Sequence, residues 1–127
     1  EIALSCQFRI ASPSAFLGLP EIMHGVVPGM GGMERLYRLL GKEKALQMIL
    51  CGEMIGAKEA LDMGLVTKLS ENRNSFEETK AFVKELLNGK SLTQIRAIVD
   101  TINLAAEGVT DPSKGKFEAA LAEAFKK

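Results

Sequence analysis

The run Pro28-Gly29-Met30-Gly31-Gly32 places glycines at three of five positions just ahead of a helical pattern, and it divides the chain in character. Before it, extended pieces are interrupted by proline; after it, apolar residues recur at helical spacing. Glycines open backbone angles that other residues avoid. When a helix follows, the free amides of such a turn stand at its positive end, where they can bind an anion, a carbonyl oxygen or a water. No Gly-Lys-Ser/Thr follows, so the run is not a phosphate-binding P-loop, and it lacks the spaced glycine triad of a dinucleotide fold. On physics alone, a tight turn that starts a helix is a sufficient account.

Upstream, Ile2 to Ala11 is apolar with scattered polar positions and no clean period. It reads as a short helix running into a strand, with Phe8 and Ile10 alternating against Gln7 and Arg9. Ser12-Pro13-Ser14 breaks it, because proline lacks an amide donor and restricts its predecessor. Ala15-Phe16-Leu17-Gly18 reads as a second short strand, stopped by Pro20. Two such pieces with no evident partners nearby need strands from elsewhere, since an isolated pair is marginal in water.

Downstream, Met30, Met33, Leu36, Tyr37 and Leu40 form a helical stripe ended by Gly41. A second helix runs over residues 42–51 to Gly52, and a short third over 57–63 to Gly64, followed by the alternating Leu65-Val66-Thr67-Lys68-Leu69. Three amphipathic helices complete the pattern. Ser75 with Glu78 predicts a capping box ahead of Phe82, Val83, Leu86 and Leu87. Ser91 with Gln94 predicts another, ahead of Ile95, Ile98, Val99 and Ile102. Asp111 with Pro112 opens a last helix carrying Phe117, Ala120, Leu121 and Ala124. No internal repeat shows.

The 127 residues suffice for one domain. Sixteen basic and sixteen acidic residues cancel, so no global field attracts nucleic acid or a membrane surface. No stretch approaches the roughly 20 apolar residues of a membrane span, and no signal peptide is visible. Cys6 and Cys51 lack metal-ligand spacing; a reduced cytosolic pair is the expectation, with a single disulfide the alternative.

Glu21 stands after Pro20 among Leu17, Leu19, Ile22 and Met23. Buried there, a carboxyl would be desolvated, which favours its uncharged form and suits proton transfer; as an exposed loop residue it would do neither. Glu1 lies twenty residues earlier, and two carboxylates held near each other can share the acid and base work of adding or removing water. His24, the only histidine, reads as hydrogen-bonded structure or surface. The six methionines could line an acyl pocket but more often fill gaps in a core. Glu34 and Arg38 read as a solvated i, i+4 pair.

Several ordered motifs together resemble the enoyl-CoA hydratase/isomerase family, the crotonases. Residues 1–12 resemble a Cys-Glu-Leu-Ala run leading to Cys-Asp-x-Arg-Ile-Ala. Residues 16–21 resemble Phe-Gly-x-Pro-Glu, and residues 28–36 resemble Pro-Gly-x-Gly-Gly-x-x-Arg-Leu. Leu50-Cys51-Gly52, Ala57-Lys58-Glu59-Ala60 and Gly64-Leu65-Val66 match the signature that follows. Gln7 stands where an Asp is usual, and Met33-Glu34 replaces a common Thr-Gln.

The resemblance implies an α/β fold, the end of a β-β-α spiral over residues 1–70, followed by a helical tail over 71–127 that serves oligomerisation. It implies that Glu1 and Glu21 are the catalytic pair that holds and activates water and delivers a proton, with the amide of Gly29 near that water. The substrate it implies is an acyl-CoA thioester, hydrated across its 2,3 double bond. Coenzyme A enters as part of the substrate, with no separate cofactor and no metal. A cytoplasmic homotrimer or dimer of trimers is the implied setting. Double-bond isomerisation within the family, or a non-catalytic helical assembly module, are the alternatives. A chain beginning at a catalytic glutamate reads as a fragment. The two amides that polarise the thioester carbonyl in the family lie upstream of Glu1, and each such donor is worth about 3 kcal/mol, so the expectation for the chain alone is inactivity.

Overall fold

The computed structural model describes residues 1–106 and 108. The helix expected from Asp111 onward lies outside them. Two compact units divide the chain, Glu1–Ala81 and Phe82–Lys127.

In the first unit the opening segment forms a 3-10 turn over Ala3–Ser5 and then strand β1 (Ile10–Ala11); strand β2 (Phe16–Leu17) follows the Ser12-Pro13-Ser14 break. Both strands find partners within the chain, contrary to the expectation that these must come from elsewhere. β1 pairs in parallel with β4 (Lys68–Leu69), and β2 pairs antiparallel with β3 (Ile55–Gly56). Only two residues per strand are paired, so side-chain anchors extend the joins. The Arg9 amide donates to Thr67 Oγ1 at 3.2 Å, and the Thr67 amide donates to the Arg9 carbonyl at 2.7 Å. The Arg9 guanidinium reaches the carbonyls of Leu65 and Cys6, each at 2.7 Å. Burial of this guanidinium holds its pKa below the ordinary arginine value, against the nearby Cys6. Its two carbonyl acceptors offset that desolvation.

β3 has no period of its own in sequence. It exists because Gly18 lets β2 approach closely: a Cβ there would lie 2.5 Å from the Glu53 carbonyl and 2.7 Å from Met54 Sδ. The helices between the strand pairs are α1 (Gly32–Leu40), α2 (Lys42–Cys51) and α3 (Ala57–Asp62). Gly41 and Gly52 end the first two with positive φ, as their spacing predicts. The core is small-residue rich: Ala11, Leu19, Leu36, Ala45, Met48, Ile55, Ala57, Ala60, Leu65 and Val66. Of the α1 stripe, Leu36 alone is fully buried; Met30, Met33 and Tyr37 are exposed. Glu34 and Arg38 form no ion pair among the described residues, where the ion pairs are Lys58–Asp62 and Lys80–Glu77.

Helix α4 (Ser75–Leu87) begins at Ser75 rather than after it. Glu78 bypasses Ser75 and accepts from the amides of Glu71, at 2.9 and 3.0 Å, and Asn72, at 3.3 Å, so its carboxylate ties down the loop ahead of the helix. In the second unit α5 (Leu92–Ala106) has the expected capping box. Gln94 N–H donates to Ser91 Oγ at 3.2 Å, and Ser91 N–H to Gln94 Oε1 at 3.3 Å. Its expected apolar stripe is uncovered at Ile98 and Ile102, while Ala97 is buried. Cys6 and Cys51 are free and exposed. Among the described residues no helix is long and apolar enough to cross a membrane.

Candidate active site

The glycine turn and the first residue of the chain meet. Glu1 Oε1 accepts two backbone hydrogen bonds, from Gly32 N–H at 2.8 Å and from Met30 N–H at 3.0 Å. Gly31, with φ of 81°, lies between these two donors and takes the left-handed turn that aims both at one point. Gly32 leaves the room: a Cβ on it would lie 2.6 Å from both Cγ and Oε1 of Glu1. A carboxylate at the first turn of a helix is favoured by the amides there and by the dipole behind them. The Glu1 carboxyl is accordingly held below its ordinary value of 4.5, chiefly by the Gly32 amide. Partial desolvation opposes that shift, while the Met30 and Gly29 amides assist it.

Glu21 opens a 3-10 helix, Glu21–His24, whose carbonyls at Glu21 and Ile22 are taken by the amides of Val26 and Gly25. This turn leans on the end of α2, where Gly52, at φ of 62°, makes space for Met23 and Ile22; a Cβ there would meet Met23 Cγ at 2.8 Å. Glu21 Oε2 is buried with no hydrogen-bond partner among the described residues. A buried polar oxygen without a partner carries an unmet hydrogen-bonding demand. His24 is exposed.

A cavity of about 220 Å³ opens beside Glu1. Leu4, Leu17, Leu19, Leu36, Met48 and Leu65 supply most of its apolar wall, and Glu1 and Arg9 its ionisable groups. Glu21 is not among the lining residues, and no hydrogen bond joins it to Glu1. The structure therefore gathers Glu1 with the turn containing Gly29, and Glu21 stands outside the lining of this cavity. Of the six methionines, Met48 and Met54 reach the cavity; Met23, Met30 and Met33 do not. The donors to Glu1, Met30 and Gly32, lie in the same turn as Gly29 and have no sequence signal of their own.

A family model described as enoyl-CoA hydratase/isomerase matches residues 1–127. The chain belongs to this family. A short-chain-enoyl-CoA hydratase of Clostridioides difficile is 38% identical over 115 residues, 91% of this chain and 72% of that protein. A probable enoyl-CoA hydratase of Bacillus subtilis is 52% identical over 67 residues, 53% of this chain and 26% of that protein. The crystal structure of an enoyl-CoA hydratase from Bacillus anthracis superposes with a TM-score of 0.69 at 32% identity, covering 94% of this chain and 43% of that one. The mixed α/β architecture is thus the crotonase fold, and the chain spans less than half of the solved protein and about a quarter of the Bacillus subtilis one.

Proposed function

We propose that the full-length protein hydrates 2-enoyl-CoA thioesters, with Glu1 as the base that holds and deprotonates water and Glu21 as the proton donor. The observation that carries this reading is the seat of Glu1 on the Met30 and Gly32 amides. Two donors occupy one oxygen and hold the carboxylate ionised, which leaves Oε2 able to accept from a water. In the addition, the water oxygen bonds to C3 as its proton passes to Glu1, and the electron pair of the double bond takes a proton at C2 from Glu21. The partnerless Oε2 of Glu21 supports that second role, since no protein group among the described residues competes for the oxygen that would face the substrate. The family membership and relatives described as enoyl-CoA hydratases support the substrate class. The Gly29 amide beside Glu1 is the group we assign to the water. The reading includes a cytoplasmic trimer or dimer of trimers, with coenzyme A present only as part of the substrate.

The test is the loss of enoyl-thioester absorbance with purified full-length protein. Glu1→Gln and Glu21→Gln are each expected to lower kcat by roughly 10²- to 10⁴-fold. No absorbance change with the unsubstituted protein would end the proposal. One observation favours isomerisation instead: Glu1 is already engaged by the backbone, and Glu21 alone is unpartnered. Under that alternative a 3-enoyl thioester would be converted to the 2-enoyl isomer without uptake of water, and Glu1→Gln would be tolerated.

A further inference from the structure

Arg35 lies one turn into α1 and is half-buried, unlike its exposed neighbours Glu34 and Arg38. Its Nη1 donates to the Met30 carbonyl at 2.7 Å, and its own amide donates to the Gly31 carbonyl at 3.1 Å. The guanidinium also covers Gly31, where a Cβ would lie 2.9 Å from Nη1 and 3.3 Å from Cζ. The bonded Met30 carbonyl belongs to the peptide between Met30 and Gly31. The two amides that hold Glu1 belong to the peptides on either side of it. Fixing the plane of the central peptide therefore fixes the torsions that swing both flanking amides toward one oxygen. Among the described residues no ion pair or hydrogen bond joins Arg35 to Glu1 itself.

We propose that Arg35 is a positioning residue for Glu1, acting through the Met30–Gly31 peptide rather than by charge pairing; its catalytic consequence rests on the reading of Glu1 as the water-activating base. The guanidinium is suited to this because one nitrogen takes the carbonyl while the flat group lies over a glycine. A lysine in its place would reach the carbonyl with a point donor and leave Gly31 uncovered. The charged side chains around Glu1 are Arg9 on the cavity wall and Arg35 behind the turn.

The experiment compares Arg35→Met and Arg35→Lys with the unsubstituted full-length protein. One readout is the titration of the Glu1 carboxyl by carbon-detected NMR on glutamate-labelled protein; the other is kcat and KM for hydration. Arg35→Met is expected to move the Glu1 midpoint upward toward the ordinary glutamate value and to lower kcat by roughly 10- to 100-fold, with KM within about threefold. Arg35→Lys should recover part of both effects. An unchanged Glu1 midpoint in folded Arg35→Met would overturn the proposal, as would a shift that Arg35→Lys fails to reduce. If Arg35→Met does not fold, an Arg35→Lys midpoint identical to the unsubstituted protein's overturns it instead. A shifted midpoint in a protein without hydratase activity would uphold the positioning role and sink the hydration reading alone.

Discussion

A methyl group at Gly32 would collide with Glu1, while at this first position of α1 the gain in helix propensity stays below the about 1 kcal/mol of an interior site. Gly32→Ala should therefore leave the unfolding free energy from urea titration within about 1 kcal/mol of the original while lowering hydration kcat by roughly 100-fold. Full activity in a folded Gly32→Ala protein would refute the seat as a working part of the site. The same seat sets a pH dependence. Because the folded Glu1 carboxyl lies below 4.5, its contribution to stability is complete above that value and is lost as pH falls through the folded value. The acid limb of kcat/KM is expected below pH 4.5, and NMR titration would reveal an error if Glu1 titrated above it. Of these parts, Glu1, Glu21 and Gly29 are named from sequence through the resemblance. The donors Met30 and Gly32 are not. Backbone amides carry no letter of their own, and nothing local says that residues some thirty apart in sequence will meet.

Helix ends illustrate the same limit between elements. Gly41 and Gly52 announce their helices' ends because only a residue without a side chain takes their positive φ cheaply. Gly52→Ala combines that strain with a clash against Met23, so a loss of about 1–3 kcal/mol is expected by urea unfolding, together with loosening of the turn that carries Glu21. Wild-type stability there would contradict the packing of that turn on α2. The capping box at Ser91 is readable because both partners lie within one turn of α5. At Ser75 the pattern misleads: a glutamate can serve any amide it reaches, and Glu78 serves Glu71 and Asn72. The stripes of α1 and α5 mark which side chains share a face, but spacing cannot say whether anything lies opposite. Leu36→Ala, at the one fully buried large side chain among the described residues, should cost about 2–5 kcal/mol, whereas Met30→Ala should cost little.

For the molecule as a whole, the balance of charge and the apolar fraction describe an ordinary globular chain, and the distribution of apolar surface does not. Ile2, Phe16, Met23, Val27 and Met30 are each two-thirds or more exposed, far more than scattered surface residues require. The 127-residue chain on its own is expected to associate with rising concentration; a monomer by sedimentation at ~100 µM would contradict this. The two-residue strand pairs carry a different consequence. Ala11 and Ser70 are joined across 59 positions, and Arg9 and Thr67 across 58. Helices α1 and α2 can form from near neighbours, while this clasp must wait for a long loop to close. The amides of Thr67 and Ser70 are then clocks for the first unit: their exchange with solvent deuterium should record each opening of the whole unit, and not the fraying of any one helix.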